Sequence, residues 1–433
     1  MTWTEGYISD VGFPAFFYKE MQPVWLSTVA GFLGSGAPDA GKAFSLCELG
    51  CGAGVNLLVA AACHPDAQFV GVDFNAEHLR LAREAAQACG IANVEFIHSD
   101  FAQFARGNDR SFDFITCHGV WSWIAAPLKA VLLECASRSL KPGGLLYLHY
   151  MCHPGSTELL PLQHVLNLCA HHLPGPSTRK VQTGMKLLQQ IAASGLFADK
   201  PAMARHLANM ARRAPADLAH EFLTDHWQPE HSVEVHQAAA RSGLTFLGSA
   251  DVFNNLDPSL SIPGNMQELI GRTAAPALAE TLKDLARDAH QRMDLFQKDP
   301  AALSEAAFIA ALREARFRLL PDAPLRGPVT FATPIGSVTG PETIFTPLLE
   351  RLSRGAATGA ELLELPVFRG DVGALLQALQ LLMMQQLAHP MGPEAEGTAE
   401  RGRSLSDWFG RNDTALDIAA DCATAVSRTV HRA

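Results

Sequence analysis

The chain has 433 residues, of which 48% are hydrophobic and 18% are charged, and its formal net charge at pH 7 is −10. This length is enough for two or three domains, and the composition excludes an intrinsically disordered chain. Because the net charge is negative and lysine and arginine form no run, bulk charge does not favour nucleic acid, and no nucleic-acid partner is expected.

The cysteines and the hydropathy pattern indicate the compartment. The nine cysteines are scattered without a C-x-x-C pair, which favours reduced thiols over disulfides or a zinc site. The N-terminus has no charged region followed by an apolar stretch, so no signal peptide is expected. Residues 375–387 are rich in apolar side chains but too short to cross a bilayer. We therefore predict a cytoplasmic protein with no membrane span and no bound metal. The sequence does not indicate the oligomeric state.

The first predicted elements lie in residues 1–40 and 41–153. Residues 16–32 are predicted to be helical, with a break or a restart near Pro23, because proline has no N–H to donate inside a helix. Residues 41–153 then alternate strands with helices, which is typical of a Rossmann-like, doubly wound parallel sheet in an α/β protein. The helices are predicted at about 54–63, 75–89 and 127–139. A ligand of such a sheet binds outside the carboxyl ends of the strands.

A glycine-rich loop, Glu48-Leu-Gly-Cys-Gly-Ala-Gly54, follows the first strand. Gly50, Gly52 and Gly54 let the backbone turn sharply and approach a ligand closely. A dinucleotide loop would read G-x-G-x-x-G, but Val55 stands where its last glycine belongs. Glu48 would also repel a pyrophosphate, whereas it suits a cation. The loop therefore favours S-adenosylmethionine, which carries a sulfonium and an ammonium and no phosphate. From the loop alone, a glycine-rich turn in an unrelated α/β protein stays the alternative.

The remaining chain divides into three predicted parts. Residues 154–230 are predicted to form a helical insertion that caps the carboxyl edge of the sheet. Residues 231–255 return to the core sheet, because a helix, a glycine and an apolar strand follow one another there. Residues 256–433 are predicted to form a mostly helical C-terminal domain for regulation or substrate contact. After residue 327 its elements are compatible with a winged-helix-like module that contacts protein rather than DNA.

Four sequence motifs carry a family resemblance. The loop from Glu48 to Gly54 resembles the first motif of class I S-adenosylmethionine-dependent methyltransferases, and the Lys-Pro-Gly-Gly turn at 141–144 is typical of their fold. The run His-Gly-Val-Trp-Ser-Trp at 118–123 resembles that of a bacterial group with a methyltransferase regulatory domain. Residues 218–229 resemble the His-Glu-Tyr signature of that domain. The group includes protein lysine methyltransferases of intracellular bacteria.

The chain departs from the group's pattern at the end of the fifth strand. The group has Ser-Tyr-Asn there and Pro-Gly-Trp a few residues later. Tyr150, Pro154 and Gly155 match this pattern, whereas His149 and Met151 do not, and the tryptophan position is serine. Because this edge of the sheet should face the acceptor, the departures put the identity of the substrate in doubt.

The resemblance implies roles for particular residues. Residues 1–40 are expected to act as a lid, Asp73 to bind the ribose and Asp100 to bind the adenine amino group. The full set expected at the cofactor is Glu48, Gly50, Cys51, Gly52, Gly54, Asp73, Phe74, Asp100, Phe101 and His118. The expected lining of the acceptor pocket is Tyr18, Trp121, Trp123 and Tyr150. The candidates for catalysis are His118, Tyr150, His153 and His220.

The function implied by the resemblance is in-line transfer of a methyl group to a protein side-chain amine, with lysine as the expected kind of acceptor. Two alternatives stay open. The helical cap suits an N-, O- or C-methyltransferase of small molecules equally well. A regulatory protein that binds the cofactor without turnover is the other alternative, although the intact acid and glycine loop argues against it.

Overall fold

The computed structural model describes residues 6–12, 15–392, 395–412 and 414–427. Its central feature is a seven-stranded sheet with the strand order β3-β2-β1-β4-β5-β7-β6. The seven strands are β1 (Ser45–Leu49), β2 (Gln68–Asp73), β3 (Val94–His98), β4 (Phe112–Cys117), β5 (Leu140–Met151), β6 (Leu244–Ser249) and β7 (Gln291–Lys298).

The first five strands are parallel, and β7 is antiparallel to both of its neighbours, β5 and β6. The predicted Rossmann-like α/β sheet is confirmed, although the sheet is mixed rather than wholly parallel. The central strands are buried on both faces, because helices cover the sheet on each side. The first helices are α1 (Pro23–Phe32), α2 (Val55–Cys63), α3 (Ala76–Ala88), α4 (Phe101–Gly107) and α5 (Ala126–Ser139).

Helix α1 begins at Pro23, so the predicted break near this proline is a helix start. Proline is favoured in the first turn, where no N–H is needed for the helix. A short 3-10 turn, Lys19–Met21, precedes it, and residues 15–18 are not helical.

The insertion after β5 is helical. It contains α6 (Leu160–His172), α7 (Ser177–Ala193), α8 (Pro201–Met210) and α9 (Pro215–Phe222). These helices have a hydrophobic core of their own, which includes Leu166, Leu188 and Phe222, and Trp123 from the turn after β4 joins it. This core fixes the insertion, called the cap below, over the carboxyl end of the sheet.

The chain returns to the sheet twice after the cap. Helix α10 (Ser232–Arg241) leads into β6, and α11 (Pro258–Ser261), α12 (Gly264–Gly271) and α13 (Pro276–Arg287) lead into β7. The expectation that the core ends at residue 255 is therefore wrong. The sequence does not predict strand β7, because the strand carries buried Arg292 and Asp294. Their side chains pair at 2.9 Å.

The C-terminal part packs on the core through α1 and α2. Its elements are α14 (Glu305–Glu314), β8 (Arg316–Leu319), β9 (Val329–Thr333), β10 (Gly336–Gly340), α15 (Glu342–Ser353), β11 (Ala357–Thr358), α16 (Gly359–Leu363), α17 (Val372–Met384), β12 (Ala388–Pro390), α18 (Thr398–Arg411), β13 (Leu416–Ala419) and β14 (Thr424–Ser427). Strand β8 pairs with both β11 and β12, and β9 and β10 form a hairpin. Helix α18 lies against α2, where Arg401 Nε donates to the carbonyl of Ala62 at 3.2 Å. No helix within the described ranges combines the length and apolarity needed to cross a membrane.

Candidate active site

A cavity of about 610 Å³ opens at the carboxyl ends of β1, β2, β4 and β5. Four parts of the chain line it: the glycine loop, the ends of these strands, the cap and an N-terminal strap. The strap consists of residues 6–12 and 15–18, and Tyr7, Phe16 and Tyr18 belong to it. Parallel sheets bind ligands at this edge, so the cavity lies where the sequence predicted a site.

The glycine loop needs its glycines for backbone reasons. Gly50, Gly52 and Gly54 have φ values of 78°, 52° and 71°, in the left-handed region that other residues rarely adopt. A Cβ on Gly50 would clash with Val120, and one on Gly54 would lie 2.7 Å from Phe96. Gly50, Cys51 and Gly52 line the cavity, whereas Gly54 starts α2 and does not line it.

Asp73, at the end of β2, is held by two backbone donors. Gly52 N–H donates to its Oδ2 and Asn75 N–H donates to its Oδ1, each at 2.8 Å. Burial raises the pKa of this carboxyl, and the two hydrogen bonds oppose the rise. The carboxylate is therefore fixed against the glycine loop and faces the cavity, in the position expected for a ribose acceptor.

Glu48 is buried, with 4% of its surface exposed, and it lines the cavity. Its Oε2 atom has no hydrogen-bond partner within the described part of the chain. Burial, and then the charge of Asp73, raises the pKa of Glu48 well above its usual range. A buried carboxylate without a partner is costly in free energy unless a cation or a hydrogen-bond donor contacts it. The sulfonium and ammonium groups of S-adenosylmethionine supply such a charge, so the residues present fit this cofactor.

The side of the cavity where adenine is expected is aromatic. Phe74 and Phe101 line it together with Asp100, whose Oδ1 also caps α4 through Gln103 N–H at 2.7 Å. The Tyr7 ring stands edge-on to Phe74, with the centroids 5.7 Å apart. A flat heterocyclic base is suited to such a lining.

Three rings form the opposite wall. Tyr18 stacks on His118 with a centroid distance of 3.6 Å, and His118 stacks on His149 at 4.0 Å. His149 Nδ1 accepts from Gly119 N–H at 3.2 Å, and its Nε2 lies 3.0 Å from Gln291 Oε1, an acceptor. Both nitrogens are thus used by the neutral ring. Burial lowers the pKa of His149 to about 4, and burial followed by the charge of His149 lowers that of His118 well below its usual range.

The cap supplies a charged wall. Arg213 pairs with Asp217 at 2.6 and 2.7 Å, and its terminal nitrogen donates to Glu221 Oε2 at 3.2 Å. All three residues line the cavity. His220 also lines it, and its Nε2 donates to the carbonyl of Val11 at 2.9 Å, which ties the strap to the cap.

Besides Gly54, three expected site residues lie outside the cavity, contrary to expectation: Tyr150, Trp121 and His153. Tyr150 is fully buried and its hydroxyl donates to Asp294 Oδ2 at 2.5 Å. Successive residues of a strand point to opposite faces, so His149 and Met151 line the cavity and Tyr150 points away from it.

Trp121 lies outside because residues two apart in a 3-10 turn point in different directions. It belongs to a 3-10 turn together with Trp123, and only Trp123 lines the cavity. The Trp121 indole donates to Glu230 and packs under the ammonium of Lys129.

His153 is the third. Its Nδ1 atom pairs with Thr157 Oγ1 at 2.8 Å, beyond the cavity lining.

The other expected residues meet in the cavity, and several unexpected ones join them. The expected residues that line it are Tyr18, Glu48, Gly50, Cys51, Gly52, Asp73, Phe74, Asp100, Phe101, His118, Trp123 and His220. The residues that the sequence did not indicate include Asn56, His78, His149, Arg213, Asp217, Glu221 and Gln291. The position of Gln291 in the cavity could not be predicted, because the polar sequence of β7 does not indicate a strand.

Family comparisons agree with this geometry. A family model for a "Methyltransferase domain" matches residues 40–195, and one for a "Predicted methyltransferase regulatory domain" matches residues 214–298. The chain is a class I S-adenosylmethionine-dependent methyltransferase. The two matches together contain all seven strands of the sheet and helix α9 of the cap.

Relatives of this methyltransferase occur in several bacteria. An uncharacterized protein of Synechocystis sp. is 28% identical over 394 residues, which cover 90% of this chain and 77% of that protein. An uncharacterized protein of Rickettsia prowazekii is 27% identical over 247 residues, which cover 56% of this chain but 44% of that protein.

A solved structure shares the fold. PKMT2 from Rickettsia typhi, solved in complex with AdoHcy, superposes with a TM-score of 0.67 at 19% identity. The superposition covers 87% of this methyltransferase and 77% of PKMT2. The shared architecture therefore extends well beyond the sheet.

Proposed function

We propose that this enzyme transfers the methyl group of S-adenosylmethionine to a lysine-like side-chain amine of another protein. The observation that carries the proposal is the composition of one cavity. Two acids, Glu48 of the glycine loop and Asp73 at the end of β2, share this cavity with a neutral wall of stacked rings and with the carboxylate of Glu221. The resemblance to a group that includes protein lysine methyltransferases, and the fold shared with PKMT2, support the same acceptor.

The reaction forms a bond between the acceptor nitrogen and the methyl carbon and breaks the bond between that carbon and sulfur. The electron pair of the broken bond stays on sulfur, which leaves S-adenosylhomocysteine. The nitrogen must first be neutral. For a lysine with a pKa near 10.4, neutralisation at pH 7 costs about 4–5 kcal/mol.

Burial in the cavity lowers this cost. Removing an ammonium from water disfavours its charged form, and Tyr18, His118, His149 and Trp123 offer a lining with no formal charge. Because the pKa values of His118 and His149 are lowered, these rings are weak bases. We therefore propose that they position the acceptor and exclude water, and that the bound ammonium loses its proton to solvent before the methyl group is transferred.

The other parts of the chain have supporting roles in this proposal. The strap is a lid that closes the cavity through Tyr7 and Tyr18. The part after residue 298, whose elements after residue 327 are proposed to form a winged-helix-like module, is proposed to contact the protein substrate or to regulate access to it. Since all nine cysteines are free, we propose that the enzyme acts in the cytoplasm, where thiols stay reduced.

Transfer of labelled methyl groups tests the proposal. The enzyme is incubated with cell extract and S-adenosylmethionine labelled in the methyl group, and the products are separated by size. The proposal expects label on a discrete protein band and none with the Asp73→Ala variant. Label confined to small molecules would instead show a small-molecule methyltransferase, and no label at all would favour a protein without turnover.

A further inference from the structure

The segment that matches the "Predicted methyltransferase regulatory domain", residues 214–298, does not form a separate body. Its first helix, α9, contributes Asp217, His220, Glu221 and Phe222 to the cavity. Its last strand, β7, contributes Gln291, which holds His149 of the ring wall. The segment thus contributes to both the charged wall and the ring wall of the cavity.

Glu221 occupies a particular place in this wall. Its Oε1 accepts from the Trp227 indole at 3.2 Å, and its Oε2 accepts from Arg213 at 3.2 Å. Its backbone carbonyl accepts from the Trp123 indole at 3.1 Å. The side chain is therefore held from two sides while it stays open to the cavity, with 17% of its surface exposed.

The charge of Glu221 is only partly balanced. Arg213 makes its short bidentate contact with Asp217 and reaches Glu221 with a single longer one, so the three side chains carry one net negative charge. Burial raises the pKa of Glu221, and Arg213 opposes the rise. The same carboxylate contributes to the raised pKa values of Tyr7 and Tyr18, after burial itself. Its field therefore reaches both sides of the cavity.

We propose that Glu221 determines acceptor specificity: its carboxylate selects acceptors that carry a cationic amine, and Arg213 and Trp227 hold it in place. The matched segment is thus an acceptor-selecting part of the active site. This inference rests on the proposed function, because it assumes that an amine is the group to be methylated. An ammonium beside this carboxylate regains part of the electrostatic stabilisation that it loses on leaving water.

Binding of two matched probes tests this role. The full chain is saturated with S-adenosylhomocysteine, and binding of Nα-acetyl-lysine amide and of its uncharged counterpart Nα-acetyl-norleucine amide is measured by calorimetry. We expect the wild type to prefer the lysine probe by about 10-fold or more. The Glu221→Gln variant, which keeps the shape of the side chain, should bring the ratio close to one. Glu234→Gln, on the exposed face of α10, is the matched control and should keep the wild-type ratio.

The outcomes separate the inference from the proposed function. An unchanged ratio in Glu221→Gln, or an equal loss of both probes, would overturn the role of Glu221. Methylation of cell protein by the wild type would be unaffected by that result. A wild type that prefers the norleucine probe would overturn the inference, and label confined to small molecules would overturn the proposed function. Binding of S-adenosylhomocysteine reports whether each variant is folded.

Discussion

The ring of Tyr18 lies on the ring of His118, with the centroids 3.6 Å apart and the planes 25° from parallel. Tyr18 belongs to the N-terminal strap and His118 follows β4. The backbone N–H of Tyr18 also donates to Asn56 Oδ1 in α2, at 2.9 Å. One residue of the strap therefore connects helix α2 to the wall of stacked rings, so the strap forms part of the cavity lining.

Replacing Asp73 with alanine should abolish tight cofactor binding. The change removes the acceptor of Gly52 N–H and the expected partner of the ribose. Losing hydrogen bonds to a charged group should weaken S-adenosylmethionine binding by about 10- to 100-fold, measured by calorimetry. Asp109→Ala, at an exposed position, should bind as the wild type does. Unchanged affinity in folded Asp73→Ala would refute the assignment of the cofactor site.

Gly50→Ala should weaken cofactor binding, whereas Gly143→Ala should not. Both glycines have a φ of 78°, but a Cβ on Gly50 would clash with Val120, whereas one on Gly143 would meet nothing within 4 Å. Backbone strain should cost each variant about 1–2 kcal/mol of unfolding free energy, measured by urea denaturation. Only Gly50→Ala should also lose cofactor affinity. Equal effects on both properties would show that the close approach at Gly50 is unimportant.

Acidification should destabilise the fold through His149. Its pKa is about 4 in the folded protein and near 6.5 when unfolded, so the unfolded chain binds the proton more readily. The stability that His149 contributes is complete above pH 6.5 and is lost as the pH falls towards 4, by up to ~3 kcal/mol. His149→Gln should flatten the dependence of the unfolding free energy on pH in this window. A slope identical to that of the wild type would contradict the buried neutral ring.

Tyr150→Phe should separate stability from catalysis. The variant leaves the buried Asp294 without the hydroxyl donor, which should cost about 1–3 kcal/mol of unfolding free energy. Because Tyr150 lies outside the cavity, the apparent KM for the cofactor should not change. Tyr18→Phe provides the contrast, because Tyr18 lines the cavity. Loss of methyl transfer in a stable Tyr150→Phe variant would restore the role in acceptor binding or catalysis that the resemblance implied for Tyr150.

The cofactor half of the site was predictable because local sequence determines it. Glycines that need a left-handed backbone and acids at strand ends lie within a few residues of the strands that position them. The acceptor half depends on side-chain direction and on distant chain. His149 and Tyr150 are neighbours in sequence, yet the strand turns one into the cavity and the other into the core. Glu221 and Gln291 reach the same cavity only after the cap and the last strand have folded.

The strand β7 shows a second limit. Its sequence, Gln-Arg-Met-Asp-Leu-Phe-Gln-Lys, alternates no clear apolar face, and buried charges replace the usual pattern. The charge of Arg292 is neutralised by acids of α13, because Arg292 pairs with Asp284 at 2.6 Å and with Glu280 at 3.0 Å. A buried strand of this kind is recognisable only when its charge partners on α13 are known.

The identity of the methylated residue tests the central claim most directly. Protein labelled by the enzyme and methyl-labelled S-adenosylmethionine is hydrolysed in acid, and the amino acids are separated by chromatography. The account predicts that the label co-elutes with N-methylated lysine and is absent when Asp73→Ala replaces the wild type. Label in another amino acid, or in no amino acid at all, would contradict transfer to a lysine amine.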